Sequence, residues 1–172
     1  NSSIQLGDYR FDMGPTFFLM KDVLEGIFEQ TGRTLSEYVT LQELEPMYRL
    51  HFSEDTIFYP SRNQERMKAE LEKKFPGNYD GYLKYLQKEK RKYDQLIPCL
   101  AMPYSSVLDL LKWQFLSSIP YLDVHVSVFD VLGRYFKDDD LKVSFSFQAK
   151  YLGMSPWEAP GLFSILSYIE HG

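Results

Sequence analysis

The chain has 172 residues, enough for one domain with a real core, and its formal net charge of −5 gives no reason to expect a nucleic-acid partner. Hydrophobic residues make up 44% and aromatics 16%, with 13 Tyr and 13 Phe, a load that suits close packing, a long apolar ligand or a lipid interface. The single cysteine, Cys99, excludes an internal disulfide framework and fits a reducing, cytoplasmic setting, while no apolar run reaches the ~18 residues of a membrane span and no signal pattern opens the chain.

In chain order, residues 9–12 read as a short strand. Gly14-Pro15 turns the chain, and Thr16 is placed to cap a helix striped by Met20, Leu24, Ile27 and Phe28 that ends near Gly32. Residues 34–37 have capping-box spacing. Residues 47–52 and 56–59 read as paired strands. Ser61 to Gln64 is a second capping box, opening a helix through Met67 and Leu71 that stops before Pro76. Asn78 is expected to cap a longer helix with Tyr79, Tyr82, Leu86, Tyr93 and Ile97 on one side, broken by Pro98 and Pro103. A helix from Ser105 or Ser106 follows, with Leu108, Leu111, Phe115 and Ile119 inward, and then another over residues 127–136.

Residues 138–169 read as a helix, a sharp break and a second helix. Leu141, Phe145, Gln148, Ala149 and Leu152 recur at helical spacing after Asp138, Asp139 and Asp140, whose charge suits a helix start. Gly153 stands where a helix commonly ends in a left-handed conformation. Pro160 is expected in the first turn of the next helix, striped by Leu162, Leu166 and Ile169. The fold class is therefore α+β: mainly helical with a small antiparallel sheet.

Charge is uneven. Residues 61–95 hold ten Lys/Arg against six Asp/Glu, which fits either a solvated helical face or attraction to anionic lipid headgroups. There is no G-x-G-x-x-G, no phosphate-loop motif, no nucleophile elbow and no H-E-x-x-H, and His51, His125 and His171 lack metal-ligand spacing, so no metal is expected. Residue chemistry by itself stops at a mostly helical domain.

Three stretches go further. YRFDMGPT at residues 9–16, YRLHF at 48–52 and SFSFQAKYLGMSPWEAPGLFSILSYIEHG at 144–172 resemble the bacterial carotenoid desaturases, the phytoene and dehydrosqualene desaturase flavoenzymes, with the elements in the same order. The resemblance implies that residues 1–172 are the substrate-binding middle domain of a two-domain FAD-dependent oxidoreductase, excised from its flanking cofactor domain. It implies flavin proximity for Asp12, Gly14, Pro15 and Thr16 in the parent, while the piece alone is not expected to hold FAD. In some relatives an acid and an arginine stand at the places of Asp109 and Lys112, which makes these two candidates for acid–base work; an ordinary i,i+3 ion pair is the competing reading. Phe145, Phe147, Tyr151 and Trp157 are candidates to line a channel for a long isoprenoid, a ligand that only apolar and aromatic walls can hold; ordinary core packing competes for each. The implied partners are a long-chain isoprenoid or carotenoid and peripheral membrane lipid. A related carotenoid oxidase or isomerase, and a non-catalytic lipid-binding or interaction module, stand as alternatives.

Overall fold

A computed structural model describes residues 2–14 and 17–172, so the expectations for Pro15 and Thr16 lie outside the described residues. The chain divides into two compact units, Asn1–Gln42 and Glu43–Gly172.

In the first unit, β1 (Ser2–Leu6) pairs antiparallel with β2 (Tyr9–Met13), Leu6 opposite Tyr9 across a two-residue turn. The strand expected at residues 9–12 is present; its partner was not foreseen. Ile4, Leu6, Tyr9, Phe11 and Met13 share one face and are exposed. Helix α1 (Lys21–Gln30) starts later than Thr16 would set it, after a left-handed Met20, and Gly32 follows it at φ 71. Residues Leu35–Glu37 form one 3-10 turn in which Thr34 makes no side-chain cap bond, so the expected capping box is absent.

The second unit is helical around a small hairpin. Strands β3 (Leu50–His51) and β4 (Ile57–Phe58) are shorter than the pattern suggested. Helix α2 (Gln64–Lys74) is capped by Asn63, whose Oδ1 accepts from Arg66 N at 3.0 Å; Ser61 instead accepts from Asn63 N. Helix α3 (Tyr79–Leu100) runs through Pro98, which sits close enough to the end for its lost N–H to cost one bond in a terminal turn. Its buried side chains are Tyr82, Tyr85, Glu89, Lys92, Leu96 and Cys99, at alternating three- and four-residue steps. This corrects the stripe read from apolar residues alone: two charged residues occupy the middle of the buried face.

Beyond α3 the helices are short. A 3-10 segment (Val107–Leu111) leads to α4 (Trp113–Ser118) and a further 3-10 turn, Ile119–Tyr121. Leu108, Leu111 and Ile119, expected inward, are exposed. Helix α5 (Val128–Gly133) opens with a Ser127/Asp130 capping box and buries Val128, Val131 and Leu132. Helix α6 (Asp139–Ser144) is capped by Asp138, which accepts from Asp140 N and Leu141 N. It stops at Phe145, and the chain continues as 3-10 (Phe147–Leu152), so the single helix expected to Leu152 is two pieces and Leu152 is exposed. Gly153 is left-handed, at φ 66 and ψ 24, with open space where a Cβ would stand. Pro160 is not in the first turn of a helix. It precedes the 3-10 turn Gly161–Ser164 at ψ 141, and that turn runs into α7 (Ile165–His171).

The core joins Phe58, Met67, Leu71, Phe75, Tyr82, Tyr85, Val128, Leu132, Phe136, Leu141, Phe145, Ala149 and Ala159. Phe145 stacks on Phe136 at 5.2 Å between centroids and lies beside Tyr82 and Tyr85. Against this core lies a buried ionic cluster. Lys92 Nζ stands 3.2 Å from Glu89 Oε1 and 3.1 Å from Asp123 Oδ2, and donates to Ser164 Oγ and the Gly161 carbonyl. Arg134 reaches the other oxygen of Asp123. Burial pushes the Glu89 carboxyl up despite Lys92. It opposes the charge on Asp123 too, yet Lys92 and Arg134 together hold that carboxyl below its ordinary value.

Lys92→Met leaves two carboxylates without their shared cation and is expected to cost about 3–5 kcal/mol in urea unfolding; a loss below about 1 kcal/mol contradicts the ionic clamp. Gly153→Val is expected to cost about 1–2 kcal/mol through backbone conformation alone; a thermal melt of Gly153→Val that overlays wild type refutes the left-handed cap.

Candidate functional site

The C-terminal turn of α7 ends in two buried polar residues, Glu170 and His171. Their surroundings come from three parts of the second unit. Residue 48 leads into β3, the 3-10 turn after α6 brings Gln148 and Tyr151 against α7, and Phe145 reaches over from the break between them. That break matters: with α6 stopped at Phe145, the following turn faces Gln148 inward and puts the Tyr151 hydroxyl on Glu170.

Three donors converge on the Glu170 carboxylate. Gln148 Nε2 donates at 2.7 Å, Tyr151 Oη at 3.0 Å and Tyr48 Oη at 3.4 Å. All three are neutral. Among the described residues no Lys, Arg or His forms an ion pair with Glu170, although it is only 6% exposed. Burial first, and then the neighbouring Glu170 charge, push the Tyr151 hydroxyl up to about 12 and raise Tyr48 well above the usual phenol range. Both phenols therefore stay protonated and act as donors.

His171 lies beside the Phe145 ring, 4.9 Å between centroids, with Nε2 2.9 Å from Tyr48 Oη. Burial, with Arg62 nearby, lowers its imidazole to about 3, so it is neutral. Assigning the imidazole proton to Nε2 lets that nitrogen donate to Tyr48 Oη and frees the Tyr48 proton for Glu170. That tautomer leaves Nδ1 as a buried lone pair, which costs less than a buried N–H without an acceptor. Two buried acceptors, His171 Nδ1 and Gln148 Oε1, have no partner among the described residues.

Aromatic rings close the site. Phe147 meets Tyr48 edge to face at 5.1 Å, and Lys150 Nζ stands 4.6 Å from the Phe147 centroid and 5.4 Å from that of Tyr151. Of the four candidate channel residues, Phe145 thus lies against His171, Tyr151 contacts Glu170, and Phe147 packs on Tyr48 beside them. Trp157 stands apart: it packs on Phe129 at 4.9 Å and is 58% exposed. Sequence reasoning took Gln148 as part of an apolar face, set His171 aside and passed over Glu170. The one available signal was an acid and a histidine closing an otherwise apolar helix.

The other candidates lie elsewhere. Asp109 sits in the 3-10 turn after α3, where its Oδ2 accepts from Ser105 N and Ser106 N, both at 2.9 Å, and its Oδ1 meets Lys112 Nζ at 2.7 Å. Lys112 first, then the two backbone donors, hold this carboxyl below its ordinary value. Asp12 pairs with Arg10 on the exposed hairpin, and Gly14 adopts φ 128, a conformation that favours glycine. No group of His, Cys, Asp or Glu among the described residues is arranged to hold a metal, and no helix there is long and apolar enough to cross a membrane.

No family model matches the chain. Curated relatives do. It is 42% identical over 171 residues to a protein of Methylomonas sp named 4,4'-diapophytoene desaturase (4,4'-diapolycopene-forming), covering 99% of this chain and 33% of that protein. It is 31% identical to the zeta-carotene-forming phytoene desaturase of Myxococcus xanthus, over 98% of this chain and 33% of the relative. A 4,4'-diapolycopen-4-al dehydrogenase of Metabacillus indicus is 28% identical over 95% of this chain. The chain spans about a third of the length of the relatives it matches.

Two measurements check the site. The Tyr151 hydroxyl is expected to remain protonated at pH ~10, where an ordinary tyrosine is half ionised; phenolate absorbance of wild type minus Tyr151→Phe reads it, and a half-ionised Tyr151 at that pH refutes the contact with Glu170. His171 has a folded value below its unfolded one, so the unfolded state takes the proton first. Stability is expected to be retained above pH ~6.5 and to fall as pH drops from there towards 3, by at most about 1.4 kcal/mol per pH unit. Urea unfolding across that window is expected to show a smaller slope for His171→Gln; equal slopes refute the buried neutral imidazole.

Proposed function

We propose that this chain, homologous over nearly its whole length to carotenoid desaturases, is the substrate-binding portion of an FAD-dependent phytoene or dehydrosqualene desaturase. The observation that carries the reading is the 42% identity maintained across 99% of the chain. The aromatic walls around Glu170 support it, since a long hydrocarbon offers a protein no hydrogen bonds to grip.

A bound flavin would supply the hydride-accepting chemistry; the polypeptide would position the hydrocarbon and shield it from water. Gly14 supports an approach of backbone to a planar cofactor beside Asp12; Pro15 and Thr16 enter only through the resemblance. Phe147 and Tyr151 are wall residues for the substrate, with Phe145 behind them. Asp109 and Lys112 enter as an acid–base pair only through the resemblance, and their geometry supports a turn-capping role more directly. The relative named as a dehydrogenase of an aldehyde favours a second reading, an enzyme of the same family that oxidises the end of the carotenoid.

The reading includes attachment to a membrane surface. Residues 61–95 remain net basic with Glu89 and Lys92 buried, and residues 100–124 expose Leu100, Val107, Leu108, Leu111 and Trp113. The two charges amid those apolar side chains, Asp109 and Lys112, neutralise each other. Contact with anionic lipid joins both features.

Replacing the matching third of the Methylomonas relative with this chain is expected to leave an enzyme that still forms conjugated product. A chimera that folds and retains flavin but leaves the substrate saturated overturns the proposal. Vesicle sedimentation tests the surface: binding is expected to require anionic lipid and to weaken with salt, because exposed charges are screened over about 8 Å at physiological ionic strength. Undiminished binding to neutral vesicles at high salt removes the electrostatic part.

A further inference from the structure

Glu170 poses a physical question that substrate walls do not answer. A carboxylate withdrawn from water is ordinarily matched by a cation. Here it has three neutral donors and no ion pair among the described residues. Gln148 Oε1 and, with the imidazole proton on Nε2, His171 Nδ1 add buried acceptors that have no partner among the described residues, and both side chains are at most 3% exposed. The rings of Tyr48, Phe145, Phe147 and Tyr151 surround them, and aromatic faces attract positive charge. Two of those faces already do so, since the Lys150 ammonium lies over Phe147 and Tyr151. Tyr151 links the carboxylate to the surface: it is 46% exposed while its hydroxyl touches Glu170.

We infer that Glu170 with its aromatic ring wall is a site for a hydrophobic cation, and that it stabilises the positive charge arising on the isoprenoid during dehydrogenation. The inference rests on the proposed function. In the step, one C–H bond breaks with both electrons leaving as hydride to the oxidised flavin, and the carbon left behind is cationic. The adjacent carbon then loses a proton, and that C–H pair becomes the new C=C bond. The Glu170 carboxylate accepts the proton through Oε1 and passes it by way of the Tyr151 hydroxyl to solvent. A charge that exists only during reaction is best met by groups already in place, as these are.

The test uses the 172-residue chain and three probes of one chain length: an isoprenyl dimethylammonium salt, the isoprenyl alcohol and the isoprenyl sulfate. Binding is read by tyrosine fluorescence and calorimetry at high salt, so that the overall negative charge of the protein is screened. The ammonium probe is expected to bind at least about tenfold more tightly than the alcohol, and the sulfate more weakly than either. Glu170→Gln is expected to abolish the preference while keeping affinity for the alcohol. Lys150→Met, at an exposed side chain, tests the site even where Glu170→Gln does not fold: removing the resident ammonium is expected to tighten the cationic probe severalfold. Alcohol and ammonium binding equally in wild type, or Lys150→Met leaving the cation unchanged, overturns the inference. Failure of all three probes to bind removes instead the substrate-binding reading beneath it.

Discussion

An ammonium group taken out of water must be compensated within its first shell, and Lys92 shows what that requirement does to the surrounding chain. Its charge is matched by Glu89 one turn back on α3, by Asp123 in the link before α5, and by Ser164 and Gly161 before α7. None of these can move far without leaving a buried charge unmatched, a loss of about 3–5 kcal/mol. Tyr85 extends the constraint, donating to the Ser164 carbonyl and meeting Ser167, while its ring packs on Phe136 and Phe145. Apolar packing alone fixes volume and leaves sliding open. The ionic cluster fixes how far α3 is rotated and advanced against the turn that launches α7, and so where Glu170 and His171 come to rest.

Two of the buried charges in this unit, Lys92 and Glu170, are handled in opposite ways. Lys92 has counter-charges on two sides and Arg134 completes the balance, which is the arrangement of a structural cluster. Among the described residues Glu170 is held by three neutral donors and forms no ion pair. Neutral donors hold a carboxylate in place without cancelling its field, and that field extends into the rings beside it. The difference separates a group that organises the fold from one available to something that arrives later.

Much of the element order could be read from periodicity, turn residues and caps. Ser127, Asp138 and Gly153 did what their positions implied. Reading failed where tertiary context outweighed residue type. On α3 the apolar stripe through Tyr79, Leu86, Tyr93 and Ile97 looked complete, but the buried face runs through Glu89 and Lys92, whose partners lie some 30 to 75 residues away in sequence. From the turn Gly161–Ser164 into α7, Leu162, Leu166 and Ile169 suggested the inner face, whereas Ser164, Ser167, Glu170 and His171 are buried. Hydrophobic patterning cannot place a polar side chain inside unless its distant partners are known. The candidate site suffered most, because nearly all of its chemistry resides in such residues. Of its aromatic members, Phe145, Phe147 and Tyr151 could be singled out by their bulk, whereas Tyr48 read only as one face of a strand.

Gly153 carries a consequence of a different kind. Its Cβ position is empty space, so size does not restrict that site; handedness does. A mirror-image amino acid adopts the left-handed region as readily as ordinary residues adopt the right-handed one. D-alanine introduced there by chemical ligation would adopt this backbone conformation without strain and would remove the conformational freedom that glycine retains in the unfolded chain. The corner between the 3-10 turn and the segment leading to α7 is therefore a point where chirality, and no particular side chain, is what the fold selects.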